Sequence, residues 1–268
     1  VPSLRGELVV GHPGDSCTWR VRVLRFIPGR TYAEVRPHPP TLLAELGKRT
    51  AELSLRLAGF PDAAPPRSGF VWALEEAGNV MKAALDLHQG EHRALMSGCL
   101  AAYREAEPAF RSLPTQLIHG DLNDHNVLVS EDGHIGGILD LGDAHSAPAV
   151  FDLAVAVAYA LLGQADPVQA AAHVTAGYHR VRPLSEAEIA LVFPLARARL
   201  GASASIAAAR RRRSGEPDAY LLVSEAPAWA ALQAMAGVHP RFAAGVLRHA
   251  CGLAACPRGP ALTAWLAE

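Results

Sequence analysis

The sequence predicts an α+β fold: a short strand-rich opening followed by a mainly helical remainder. Three observations predict it. Strand-like runs are confined to the first thirty residues and to a stretch near 116–140. Helical spacing of apolar residues dominates the rest. Strands and helices are segregated rather than alternating, which argues against a parallel βαβ sheet. With 268 residues, 50% of them hydrophobic, the chain is long enough to bury a substantial core.

Taken in order, residues 7–10 (ELVV), the turn GHPGDS and the run TWRVRVLRFI read as a β-hairpin. Trp19, Val21 and Val23 alternate with arginines there, as in a half-buried strand, and Pro28-Gly29 ends it. Leu42, Leu43, Leu46, Leu53 and Leu57 fall near one face of a helix running from Thr41 to about Leu57. PDAAPPRSG (61–69) is a loop, and two further helices cover about 74–88 and 91–111. QLIH, NVLVS and HIGGILD are short β-type runs, the last two joined by the turn EDGH. Beyond Asp143 the chain is helical over about 149–163, 166–180, 185–212, 217–236 and 240–253, with Pro148 placed for a first turn. No internal repeat is visible.

Composition removes several functional classes. A net charge of −1 advertises neither nucleic acid nor an anionic membrane as partner. Only Lys48 and Lys82 are lysines, and the remaining cations are arginines. Arg210–Arg213 follows the small-residue run GASASIAAA and reads as a helix C-terminus, where cations complement exposed carbonyls. Cys17, Cys99, Cys251 and Cys256 are scattered without CxxC or zinc spacing, so reduced thiols in a cytoplasmic protein are expected. The most apolar segment, APAVFDLAVAVAYALLG, is interrupted by Asp152 and too short to span a bilayer. No signal-peptide pattern opens the chain.

The chemistry concentrates in HGDLNDHN (119–126) and ILDLGDA (138–144). Asp121 follows a strand and opens a polar loop, Asn126 comes where the next strand begins, and Asp140 ends the second strand of a short hairpin. Such a loop and hairpin can bring all three into one pocket. A carboxylate and an amide oxygen are hard ligands suited to Mg²⁺, which takes the rest of its shell from water and phosphate. A second carboxylate near that metal can accept a proton from an attacking hydroxyl. This is equipment for phosphoryl transfer, where positioning and charge neutralisation supply most of the catalysis. Two other readings stay open at this point: direct metal ligation by His119, Asp121 and His125 in a metal-dependent hydrolase, and a polar turn without chemistry. The second is disfavoured because so many acids in one loop repel one another unless a cation or hydrogen bonds offset them.

H-G-D-L-N-D-H-N has the H-x-D-x-x-x-x-N spacing of the kinase catalytic loop, with Gly where protein kinases carry Arg, and ILDLGDA stands where they carry D-F-G. The H-G-D form, followed by ILD and then VFDLA, resembles the aminoglycoside phosphotransferase and choline kinase superfamily. The block LIHGDLNDHNVLV…GGILDLGDA…VFDLAVAVAY is similar to the hydroxylysine kinase group. YLLVSEAPAW (220–229) resembles bacterial relatives in which a kinase-like module is joined to an aminotransferase-type enzyme.

The resemblance implies a protein-kinase-like fold, with Asp121 as catalytic base and Asn126 and Asp140 holding Mg²⁺ on the phosphates of ATP or GTP. It implies that His119 braces the loop and that Asp152 hydrogen-bonds the catalytic segment from the following helix. The bottom-up reading agrees about Asp152, since an acid in an apolar helix needs a partner. The resemblance also implies a phosphate-covering loop and a lysine in the small lobe. Neither is visible: no lysine precedes Lys48, and GHPGDS is not a glycine-rich phosphate loop.

The expected organisation is therefore a remnant of the small lobe and hinge over residues 1–30 and a helical lobe with the catalytic loop over 31–268. The chain is expected to be cut from a longer polypeptide, and this piece alone to bind nucleotide poorly. The expected acceptor is the hydroxyl of a small amino alcohol or amino acid, hydroxylysine first. Asp124, Asp143 and Glu225 are candidates for its ammonium groups, and Arg199 or Arg197 for its carboxylate. Aminoglycoside phosphorylation is a sister reading, and a non-catalytic module serving a fused partner is an alternative from another class. Aromatic content of 6% argues against a cage for a quaternary ammonium, so Trp72, Trp229 and Trp265 are expected to pack.

Overall fold

The computed structural model describes residues 1–60, 68–214, 219–259 and 264–265, with the side chains of 214 and 219–224 left aside. The expected loop over 61–69 lies almost wholly outside the described residues.

The chain opens with an antiparallel hairpin of β1 (Val10–Pro13) and β2 (Thr18–Val21). Both strands are exposed, in contrast to the half-buried strand expected from the alternation. Trp19, Val23, Leu24 and Phe26 stand in solvent because none of the described residues packs over them. A two-residue strand β3 (Arg30–Thr31) then joins β5 (Val127–Val129), which pairs with β6 (Ile135–Ile138). A second small sheet pairs β4 (Thr115–Ile118) with β7 (His145–Pro148). β3 and β7 are additions to the expected strands. HSAP carries no β-branched residue and its strand geometry comes from pairing with β4, so local preference gives no signal for it.

The helices are α1 (Pro40–Ala58), α2 (Ala77–Ala84, flanked by short 3₁₀ turns), α3 (Gly90–Arg111), α4 (Val150–Ala160), α5 (Pro167–His179), α6 (Glu186–Ser214), α7 (Ala219–Ala236) and α8 (Pro240–Ala250). Their starts follow from local chemistry. Asp166 accepts the N–H groups of Val168 and Gln169 ahead of Pro167, capping α5. Ser185 and Glu188 exchange side chain–backbone bonds in a capping box that starts α6.

α4 is apolar on every side and every residue of it is buried, so it is the central helix, wrapped by α1, α5 and α6. α1 and α5 pass in close contact because both are glycine at the crossing. A Cβ at Gly47 would overlap the carbonyl of Val174, and one at Gly177 that of Ala44. α6 is long and apolar enough by composition to cross a membrane, but 78% of that stretch is buried inside the protein, so its apolarity is that of a core helix. It runs under α2, α3, α4, α7 and α8 and delivers side chains to the polar loop described next.

Candidate active site

Asp152, in the first turn of α4, is fully buried and accepts two backbone N–H groups of the preceding loop. His119 N donates to its Oδ2 and Gly120 N to its Oδ1, each at 2.8 Å. Burial pushes the Asp152 carboxyl above the usual range, opposed by His119 and by these two N–H groups. Gly120 has φ +83°, and a Cβ there would lie 2.6 Å from the Asp143 carbonyl oxygen and 2.9 Å from the His145 ring. Conformation and close approach both demand glycine at this position.

His119 ties the loop to the hairpin. Its Nδ1 accepts Asp121 N–H at 3.2 Å, so the ring proton sits on Nε2, which donates to Leu139 O at 2.8 Å. Leu139 N in turn donates to Asn126 O at 2.8 Å. Asn126 immediately precedes β5 and Asp140 follows Leu139 at the end of β6, with Val127 opposite Ile138. The two side chains therefore stand at the same end of the hairpin. Asp140 is a non-glycine residue in the left-handed region (φ 59°), and its Oδ1 accepts Gly142 N–H at 2.9 Å, which offsets part of the strain.

Asp121 is held by three side chains. Its Oδ2 accepts from Asn123 Nδ2 at 2.8 Å and from Asn126 Nδ2 at 3.1 Å, and its Oδ1 accepts from Arg199 at 2.6 Å. Asn126 Nδ2 also reaches the Asp121 carbonyl at 2.9 Å. Asn123 closes the loop, its Oδ1 accepting the N–H groups of His125 (2.8 Å) and Asn126 (3.1 Å). Beside these groups lies a cleft of about 210 Å³, its wall including Asp121, Asn123, Asp143, Arg199, Trp72 and Glu225.

The donor set fits Mg²⁺. With Nδ2 of Asn126 committed to Asp121, the amide oxygen is the end left for a cation, and the exposed Asp140 is the carboxylate at the same end of the hairpin. Two hard oxygens leave most of the shell to water and phosphate, the pattern Mg²⁺ prefers. The hydrolase ligand set is not assembled. Both ring nitrogens of His119 are taken by backbone groups, and among the described residues no three His, Cys, Asp or Glu side chains gather as metal ligands.

The outer candidates separate. Asp143 lies in the cleft wall, and its carbonyl pairs with His145 Nδ1 at 2.8 Å. Asp124 is turned away from it: the side chain is 2% exposed and pairs with Arg36 at 3.4 Å. Burial pushes the Asp124 carboxyl up, while His125 and Arg36 pull it down. Glu225 reaches the wall but is bonded to Arg211 at 2.5 Å. Arg199 pairs with the chain's own Asp121, and also donates to Trp72 O at 2.6 Å. Trp72 lines the cleft, Trp229 is buried against His92, and Trp265 is exposed.

Four residues around the loop escaped the sequence reading: Asn123, Tyr159 in the cleft wall, and the pair His145–Glu75, 3.3 Å apart. Only Asn123 had a visible signal, as an Asx residue two positions after Asp121 in a tight turn.

Residues 5–184 match the profile described as the phosphotransferase enzyme family. The chain is 31% identical over 230 residues to hydroxylysine kinase of Bos taurus, covering 81% of this chain and 61% of that protein. The corresponding figures for the Mus musculus hydroxylysine kinase are 31% over 228 residues, 81% and 60%. The chain thus spans about three fifths of the length of these relatives. Among solved structures, an aminoglycoside phosphotransferase from Alicyclobacillus acidocaldarius superposes with a TM-score of 0.61 at 15% identity, covering 94% of this chain and 77% of that one. That likeness establishes the protein-kinase-like fold. The profile match over residues 5–184, with the 31% identity to these relatives, shows that the chain belongs to the phosphotransferase enzyme family.

Proposed function

We propose that the full-length polypeptide transfers the γ-phosphoryl group of ATP or GTP to the hydroxyl of a small amino alcohol or amino acid, with a hydroxylysine-like acceptor favoured. The observation that carries this is the placement of Asp121 in the cleft wall, its carboxylate fixed from both sides. In this reading Asp121 orients the acceptor hydroxyl and receives its proton. The hydroxyl oxygen bonds to the γ-phosphorus, and the bond to the β-phosphate oxygen breaks, releasing the nucleoside diphosphate. Asn126 and Asp140 would hold Mg²⁺, which when bound neutralises phosphate charge. His119 and Asp152 keep the loop in register with the hairpin, and Asp143 is the acid available in the wall for an ammonium group.

The cleft volume favours a small acceptor over an aminoglycoside. At about 210 Å³ it falls below the ~300–1,000 Å³ typical of sites for drug-sized ligands. The 31% identity to hydroxylysine kinases points the same way. Residues 1–30 we assign to the small lobe and hinge, and the four free cysteines are in keeping with a cytoplasmic setting. A covalently joined aminotransferase-type domain remains part of the proposal on the strength of residues 220–229, whose first five side chains lie outside the described residues.

The test is nucleoside diphosphate release by the full-length polypeptide, with ATP and GTP against hydroxylysine, ethanolamine, choline, homoserine and kanamycin. Turnover strongest with hydroxylysine supports the proposal. Strongest turnover with kanamycin supports the antibiotic reading, and nucleotide binding without turnover supports a non-catalytic module.

A further inference from the structure

Arg199 is the largest fully buried side chain among the described residues. It rises from the middle of α6, 78 residues beyond the loop, and its guanidinium bridges two partners at 2.6 Å, Asp121 Oδ1 and Trp72 O. The Trp72 and Tyr159 rings flank it, with centroids 5.1 and 5.6 Å from its central carbon. Tyr159 is itself tied to Ser203 one turn along α6. Nε has no partner. Desolvating a guanidinium so completely is costly, and an uncompensated buried charge is avoided elsewhere in proteins. The fork geometry matters, because two separate nitrogens held in one rigid plane meet the Trp72 carbonyl and the Asp121 carboxylate at once. Asn123 and Asn126 hold one oxygen of Asp121, and Arg199 holds the other.

We propose that Arg199 is a positioning residue of the acceptor site: it fixes the Asp121 carboxylate against rotation, so that one lone pair faces the incoming hydroxyl. In this role it acts through Asp121, to which one arm of its guanidinium is bonded. A surface ion pair would not do this, since Arg199 is 2% exposed and Asp121 19%.

This rests on the phosphotransferase reading and deepens it. The experiment compares Arg199→Met, Arg199→Lys and Arg199→Ala in the full-length polypeptide, with kcat, KM for nucleotide and unfolding midpoint measured for each. Misplacement of a reacting group by about 1 Å costs roughly 10²-fold, so R199M is expected to lose about 10²-fold in kcat with nucleotide KM within about threefold of wild type. R199K keeps the charge without the fork, and is expected to fall between. Added guanidinium, but not added ammonium, is expected to restore R199A by about tenfold, a recovery that general loss of structure would not show. Unchanged kcat in R199M, or equal losses in kcat and nucleotide affinity, overturns the inference. If R199M does not fold, R199K and the R199A rescue decide it by the same criteria. A wild-type polypeptide without turnover defeats the phosphotransferase reading instead. Arg199 is then judged by crystal structures of wild type and R199K, where an unmoved Asp121 carboxylate overturns the inference and a rotated one upholds it.

Discussion

Asp152→Ala removes a fully buried carboxylate whose two oxygens each accept a backbone N–H at 2.8 Å. Each buried N–H left without a partner costs about 1–3 kcal/mol, so the two together set a loss of about 2–6 kcal/mol. Part of that is returned, because burial already disfavours the ionised carboxyl and the variant no longer buries it. The expected loss is therefore in the lower half, about 2–4 kcal/mol. At about 2–4 °C per kcal/mol for a chain of this size, the midpoint should fall by about 4–16 °C. Asp152→Asn keeps the shape and one acceptor, and should lose about 1–3 kcal/mol. Urea unfolding followed by circular dichroism measures both, with the slope against denaturant unchanged if only the native state is affected. A D152A variant within about 0.5 kcal/mol of wild type, the range of ordinary surface substitutions, would refute the argument that α4 anchors the loop through this side chain.

Other consequences follow from neighbouring contacts. Gly120→Ala must place a Cβ 2.6 Å from a carbonyl oxygen at φ +83°, and is expected to abolish turnover while lowering the unfolding midpoint. Asn123→Ala removes a Nδ2 bond to Asp121 and two Oδ1 bonds within the loop; turnover should drop by about tenfold or more, with stability lowered by about 1–3 kcal/mol in urea unfolding. Stability should also depend on pH through His145. Burial works against its charged form, but Glu75 and the Asp143 carbonyl outweigh it and hold the imidazole above its usual 6.5. A raised folded value means that this contribution is complete below about pH 6.5 and is lost as pH rises through the folded value. Thermal unfolding between about pH 6 and pH 9 should show that decline in wild type, and Glu75→Gln should flatten it.

Helices α1, α3, α5, α6 and α8 were legible because their apolar spacing and caps are local, and the observed limits differ by a few residues. β7 was not, because four residues of HSAP become a strand only through pairing with β4. The hairpin β1–β2 was readable as a hairpin, but alternation says only that one face is apolar, not that anything covers it. Asp121, Asn126, Asp140 and Asp152 could be singled out from the sequence as candidates because one segment of 32 residues carries them all. Arg199 and Glu75 reach the same loop from distant helices and turns, and linear spacing holds no record of that distance. The hint available for Arg199 was a cation on the buried face of an alanine-rich helix, which implies a partner without naming it. It suggested a substrate carboxylate, whereas the structure supplies the carboxylate of Asp121.

The most direct measurement is turnover of the Asp121→Asn variant of the full-length polypeptide. The substitution keeps the size of the side chain but takes the carboxylate from the buried Arg199 guanidinium, so the urea midpoint should fall, and turnover is read on protein that circular dichroism shows to be folded. Phosphoryl transfer should fall by about 10²–10⁴-fold, the usual contribution of a positioned base. A folded D121N protein that phosphorylates its acceptor at the wild-type rate would show that the proton goes elsewhere, and would contradict the account.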